Sequence, residues 1–316
     1  LEGLARCRMG MGDGEPSMRA LLTAGQMRRE RFDRTGAIRD WQAAVEALDA
    51  GGLSASDSTV AQILCQLVSA CRESGQLDRV EGRVEDLKSL AADPDEPRPR
   101  LLYEIGCTQL AGGGTKEAGR TLRHAWRAMC DSEDAAGEID ALLALSEVYE
   151  QVSAFEKAET LLNKAVRRAD RLGSDTPRQA LRWQAHNALG MFVLKRTDID
   201  RATEILKVGL ERARRIGDVN GEVRIGSNIG AAHLAAGRYD LARRRFEEAL
   251  ERARQGADFM NEARILANLG ATARRDDDLM EARRRFEQAR RAAEALGWHE
   301  GVANADARLK ELAGNS

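Results

Sequence analysis

An all-α fold, an α-solenoid of about seven antiparallel helix pairs with a C-terminal capping helix, is predicted by three observations on the 316-residue chain. It is 43% hydrophobic but only 4% aromatic, has five prolines, and is rich in Ala, Leu, Glu and Arg, a mixture that favours helices over strands. The stretch SNIGAAHLAAGRYDLARRRFEEAL, residues 227–250, is nearly copied as ANLGATARRDDDLMEARRRFEQAR, which begins at Ala267. Each copy holds two apolar stripes of helical period interrupted by a turn, as at Gly237-Arg238-Tyr239.

The register extends along the chain. Anchored on Gly230, it reaches Gly270 forwards and Gly190, Ser146, Gly106, Val68 and Gly25 backwards. Twelve residues after each anchor stands a small or apolar residue (Ala37, Val80, Ala118, Ala158, Ala202, Ala242, Ala282), and sixteen after it a large one (Trp41, Val84, Leu122, Leu162, Leu206, Phe246, Phe286). Repeats are therefore expected at about 18–50, 57–90, 99–131, 139–172, 177–215, 222–255 and 262–296, with a capping helix at 298–313, as one array over 1–316. A short connection makes each pair antiparallel. Glycine inside a helix costs about 1 kcal/mol against alanine, so the anchor glycine implies close approach of the second helix, through Ala242 and Ala282, with Phe246 and Phe286 filling the gap towards the next unit. One unit cannot bury both stripes, so units stack. The first pair has an alternative partner, since Met18 to Arg31 could pack on residues 1–12.

Connections are marked by Ser174-Asp175-Thr176-Pro177, where capping oxygens precede a proline, and by Ala91 to Pro99, with three of the five prolines. Gly10-Met11-Gly12-Asp13-Gly14 has no strand before it and no Lys-Ser/Thr after it, so it reads as a turn rather than a phosphate loop. Gly112-Gly113-Gly114 falls at an inter-helix turn.

These residues resemble the tetratricopeptide repeat: Ile229-Gly230, Tyr239, Ala242, Phe246 and Ala249 match its pattern. The 40-residue spacing resembles the long-repeat variety of kinesin light chains and bacterial multidomain signalling proteins. The resemblance implies a right-handed superhelix whose first helices line a concave groove that holds a peptide or partner domain.

The balance of 49 Lys+Arg against 51 Asp+Glu argues against a nucleic-acid binder. No apolar run approaches the roughly 20 residues of a membrane span, and no secretory leader is visible. Five cysteines (Cys7, Cys65, Cys71, Cys107, Cys130) without CxxC spacing read as small apolar residues in a reduced, cytoplasmic protein. His124, His186, His233 and His299 lie in different units without metal-ligand spacing, and are expected to be partly buried helix residues. No catalytic constellation is found, so no enzymatic activity, cofactor or metal is expected of this segment. The start at Leu1, within a helical pattern, suggests a piece of a longer protein, and the Ala/Arg/Gly-rich composition a bacterial one.

Recognition remains. By the resemblance, groove positions fall on Gln184, Ala188, Met191, Leu194 and Lys195, then Arg224, Asn228, Ala231, Leu234 and Ala235, then Arg264, Asn268, Ala271, Arg274 and Arg275. The resemblance further implies that Asn228 and Asn268 hold a peptide backbone while Arg224 and Arg264 hold carboxylates. The plainer alternative is that the asparagines bond to neighbouring helices and the arginines are solvated. Towards the N-terminus Asp140, Glu147 and Glu150 form an acidic groove patch, near Glu104, Tyr103 and Arg100. The expected role is a protein-interaction and regulatory scaffold for a protein or peptide, with an acidic one among the candidates, within a signalling protein. The alternatives are a structural adaptor that self-associates through its end repeats, or the sensor region of a kinase, a nucleotide-switch ATPase or a caspase-like protease.

Overall fold

The structure is a computed structural model that describes residues 14–30, 34–49, 57–91, 98–173 and 178–314. Cys7, most of the Gly10 to Gly14 turn, the alternative partner segment 1–12, residues 92–97 of the proline-rich connection and Ser174 to Pro177 lie outside the described residues. The described residues form fifteen α-helices, one turn of 3-10 helix at Leu77–Val80, and no strand. They group into two compact units, residues 1–161 and 162–316.

The first unit contains α1 (Gly14–Glu30), α2 (Arg34–Asp49), α3 (Asp57–Glu73), α4 (Glu81–Ala91), α5 (Pro99–Ala111), α6 (Thr115–Asp131), α7 (Ala135–Gln151) and the start of α8 (Phe155–Asp170). The second contains the rest of α8, then α9 (Ala180–Lys195), α10 (Ile199–Arg215), α11 (Val219–Ala235), α12 (Tyr239–Gln255), α13 (Phe259–Arg275), α14 (Leu279–Ala295) and α15 (His299–Gly314). α1 packs on α2, as the first repeat expects. α15 packs on α14 and α13 and turns Leu312 into their core, beside Ala273 and Phe286. Its outward positions are small or polar: Glu300, Ala303, Asn304, Ala307, Lys310 and Glu311 are exposed, as an array end requires.

The 40-residue period has a simple physical content. α11, α12, α13 and α14 are each 17 residues long and are joined by three-residue turns, so two helices and two turns complete a repeat. In every such turn the middle residue adopts the left-handed conformation, as Gly237 does at φ +70°. The third residue donates its N–H back to the preceding helix, as Arg238 does to the His233 carbonyl at 2.9 Å, closing a Schellman motif. Where that third residue is aspartate it also begins the next helix. Asp258 N–H bonds to the Ala253 carbonyl at 2.9 Å while its Oδ1 accepts from the Asn261 N–H at 3.1 Å. Asp134, Asp218 and Asp278 work the same way.

The anchor glycines do bring the helices of a pair together, but against a different residue from the one expected. A Cβ on Gly230 would lie 2.7 Å from Phe246 Cε1, and one on Gly270 2.8 Å from the Phe286 ring. Gly190 and Gly106 stand likewise against Leu206 and Leu122, and Gly25 against Trp41. The large residue sixteen positions on thus covers the glycine of its own pair, and Phe246 and Phe286 also share cores with the helices that follow, as expected. Phe246, Phe286 and Trp41 are among the largest fully buried side chains, and each such burial is worth about 1.5–3 kcal/mol.

First helices also touch each other. α3 touches α1 and α5, and α5 touches α7; in the second unit α11 touches α9 and α13, and α13 touches α15. Among the described residues no second helix makes comparable contact with the second helix of the next pair. The first helices are therefore the closely spaced, inner layer of each unit.

Gly230→Ala is expected to cost about 1–3 kcal/mol by overpacking, and Phe246→Leu in the same chain should recover part of it. Additive losses in a urea-unfolding double-mutant cycle would contradict the contact. Thr197 holds the left-handed turn position at φ +66°, strained for a β-branched residue; Thr197→Gly should raise stability by about 1 kcal/mol, and an unchanged denaturation midpoint would show that no strain is stored there.

Candidate functional site

The inner helices of the two units carry charge in opposite ways. In the first unit, arginines and carboxylates of successive inner helices neutralise each other. Arg29 of α1 reaches Glu73 of α3 at 2.6 Å, Arg72 of α3 reaches Glu104 of α5 at 3.1 Å, and Arg100 of α5 reaches Asp140 of α7 at 2.8 Å. Arg100 also lies over the Tyr103 ring, 4.9 Å from its centroid. Burial pushes the Glu104 carboxyl above the usual carboxylate range, although Arg72 and Arg100 pull it back. Burial likewise pushes the Cys65 thiol up to about 12 and the Cys107 thiol up to about 11, so both stay protonated and inert at neutral pH. Cys71 is buried too, but Cys130 is exposed, against the expectation that every cysteine is a core residue.

The acidic groove patch is accordingly not a free patch. Asp140 is buried and its charge is met by Arg100. Glu147 is exposed and Glu150 half-buried, and both interact with other groups of the chain.

In the second unit three inner helices, α9, α11 and α13, carry an excess of cations. α9 carries Arg182 and Lys195 and no carboxylate; α11 carries Arg224 against Glu222; α13 carries Arg264, Arg274 and Arg275 against Glu262. Both carboxylates are claimed from the outer layer. Glu222 accepts from Arg252 at 2.9 Å with Arg214 at 3.7 Å, and Glu262 accepts from Arg254 at 2.8 Å. No carboxylate of these three helices is left to balance their cations.

Each expected groove residue can be placed on this surface. Arg224 and Arg275 are exposed and have no carboxylate partner among the described residues. Arg264 is exposed, with its guanidinium 5.4 Å from the Trp298 ring centroid. Arg274 is paired with Glu311 of α15, which Arg308 also holds at 3.3 Å. Gln184 is half-buried and Lys195 exposed. Asn228 is half-buried and donates from Nδ2 to Asn187 Oδ1 at 2.7 Å, linking α11 to α9. Asn268, one repeat on, is half-buried as well. The amide of Asn228 thus serves the helix stack, as the plainer alternative had it, while retaining its own oxygen and a second N–H.

Asn187 and Trp183 were missed in the sequence. Asn187 stands three residues before its anchor Gly190, one position off the asparagine register. Trp183 Nε1 donates to Asp218 Oδ2 at 2.8 Å and packs where Gly221 leaves room, fixing the start of α11; its signal was only an indole one residue before the groove position Gln184. Of the histidines, His186 and His233 are buried, whereas His124 and His299 are exposed rather than partly buried. Among the described residues no group of three His, Cys, Asp or Glu could hold a metal ion, and no helix is long and apolar enough to cross a membrane.

Comparison with known proteins agrees with this architecture. Residues 222–295 match the family model of the tetratricopeptide repeat. No curated protein matches the chain. Among solved structures it is similar to the apo form of the quorum sensor NprR from B. thuringiensis, at 11% identity and TM-score 0.59, covering 94% of this chain and 87% of that one. It is similar to the nearly identical repeats of a putative kinesin light chain from Podosopora anserina, at 15% identity and TM-score 0.52, covering 63% of this chain and 95% of that one. It is also similar to a signal transduction ATPase with numerous domains and a tetratricopeptide repeat sensor from Pyrococcus horikoshii, at 15% identity and TM-score 0.58, covering 94% of this chain and 44% of that one. At these identities the likeness is one of fold.

Because the folded state favours neutral Glu104, that preference stabilises the protein fully below the ordinary carboxylate pKa and is lost as pH rises through the raised value. Glu104→Gln should remove this falling component from stability measured against pH by urea unfolding; an identical pH profile in the variant would rule it out.

Proposed function

We propose that this chain, whose residues 222–295 match the tetratricopeptide repeat, is a protein-interaction and regulatory scaffold in which the inner helices of residues 162–316 bind an acidic, extended segment of a partner. The observation that carries this reading is the cation excess of α9, α11 and α13: three stacked first helices whose only carboxylates, Glu222 and Glu262, are already held by outer arginines. Exposed on one face, Arg224 and Arg275 favour a carboxylate-bearing ligand by complementarity of charge. Arg224, Arg264 and Arg275 would grip carboxylates, bidentately where geometry allows. Asn228 and Asn268, with Gln184 beside them, would bond to the ligand backbone, since an amide both donates and accepts.

The setting we propose is cytoplasmic and within a larger signalling protein. The sensor modules among its structural relatives, one a quorum sensor and one the repeat sensor of a signal transduction ATPase, support that reading by analogy of fold.

Arg264 and Arg274 are poor test positions, because reversing them also strips Trp298 and Glu311 from the C-terminal cap. Arg224→Glu with Arg275→Glu changes only the exposed charges. The double variant should keep its circular dichroism and melting temperature yet lose acidic partners in pull-downs. Recovery of the same partners by the variant would sink the proposal.

A further inference from the structure

The outer face of α6 carries a second basic surface, of a different kind. Its inward residues Ala118, Gly119, Leu122, Ala125 and Met129 are buried in the core of the first unit. Opposite them Lys116, Arg120, His124 and Arg127 recur at four, four and three residues and are all exposed, so they form one stripe along the helix. Arg123 lies half-buried at its side, with Nη1 3.4 Å from where a Cβ on Gly119 would be. None of these five groups has a carboxylate partner anywhere in the described residues. Glu117 flanks the stripe and Asp131 ends it, and neither is ion-paired with it.

On three other outer helices cations are paired along the helix. On α10 Lys207 pairs with Glu204 at 2.7 Å, on α12 Arg245 pairs with Glu248 at 2.8 Å, and on α14 Arg283 pairs with Glu287 at 3.2 Å. Alternation of sign is what helix stability favours, since like charges four residues apart destabilise a helix. On α6 Lys116 faces Arg120, and Arg123 faces Arg127, so folding alone gives no reason for the stripe.

We infer that the outer face of α6 is a docking site for an acidic helical segment of a partner protein, independent of the inner face of residues 162–316. Charge and shape select this occupant. The stripe offers about one cation per turn over about 17 Å, the spacing at which a facing helix presents a carboxylate per turn. A long polyanion or an anionic membrane would reach past the stripe; residues 1–161, stripe included, hold 28 Asp+Glu against 19 Lys+Arg and would repel it.

The probe is a fluorescent helical peptide of alanine and glutamate with one glutamate per turn, titrated by anisotropy at low salt. Titrations use the Arg224→Glu/Arg275→Glu background, so that binding to the inner face does not contribute. That protein should bind the peptide, with affinity falling as salt is raised. Adding Arg120→Glu and Arg127→Glu should weaken binding by at least about tenfold with circular dichroism and melting unchanged. Should the four-fold variant misfold, Arg120→Gln with Arg127→Gln replaces the reversals, with a smaller loss expected. The inference is overturned if the peptide does not bind, if binding survives the α6 changes, or if duplex DNA or phosphatidylserine vesicles bind through these residues more tightly than the peptide.

Discussion

A backbone without a side chain, covered by an aromatic or branched ring of atoms, sets the spacing of this protein. Where Gly230 meets Phe246 and Gly270 meets Phe286, the two helices of a pair approach until the large side chain lies on main chain. That contact fixes how far each pair is wide, and so where the next pair must stack. The other constraint is the three-residue turn, whose left-handed middle residue and back-bonded third residue leave no slack between helices. Together they convert a sequence period into a spatial one. At Ser146 and Val68 the glycine is replaced, and the array continues because its neighbours supply the same register.

On that scaffold, charge is distributed by layer. Inner Arg29, Arg72 and Arg100 of residues 1–161 are spent on inner carboxylates, so the Arg72, Glu104, Arg100 and Asp140 ladder acts as internal cross-bracing. In residues 162–316 the outer arginines withdraw Glu222 and Glu262 from the inner layer, which leaves α9, α11 and α13 cationic. The same residue types thus brace one surface and prime another, depending only on which layer supplies the counterion. Such pairs contribute little stability where exposed; their effect is to decide the sign that an approaching molecule meets.

The helix pairs, the final capping helix and the glycine contact were legible in the sequence because a 40-residue copy exposes every position of a packing interface at once. The partner of the glycine was misjudged because spacing alone does not tell which of Ala242 and Phe246 projects towards it; a side chain leans back over the preceding turn of its own helix. Asp140 looked like part of an acidic patch because its counterion, Arg100, sits 40 residues away and no local pattern links the two. Asn228 was readable as a groove residue, but its bond to Asn187 was not, since that asparagine is displaced by one position from its own register. The α6 stripe went unread because it lies on an outer helix, outside the register used to find the groove, although its four-four-three spacing is plain in the sequence.

Asp258 is the last residue that closes one helix and the first that opens the next. A single side chain and its amide therefore belong to two helices, and Asp134, Asp218 and Asp278 are shared in the same manner. Insertion or deletion at such a joint would deprive both neighbours of their terminal bonds at one stroke. Among the last repeats a change of length that keeps these joints intact is a whole 40-residue cassette, which is the form the last two repeats, nearly copies of each other, already display.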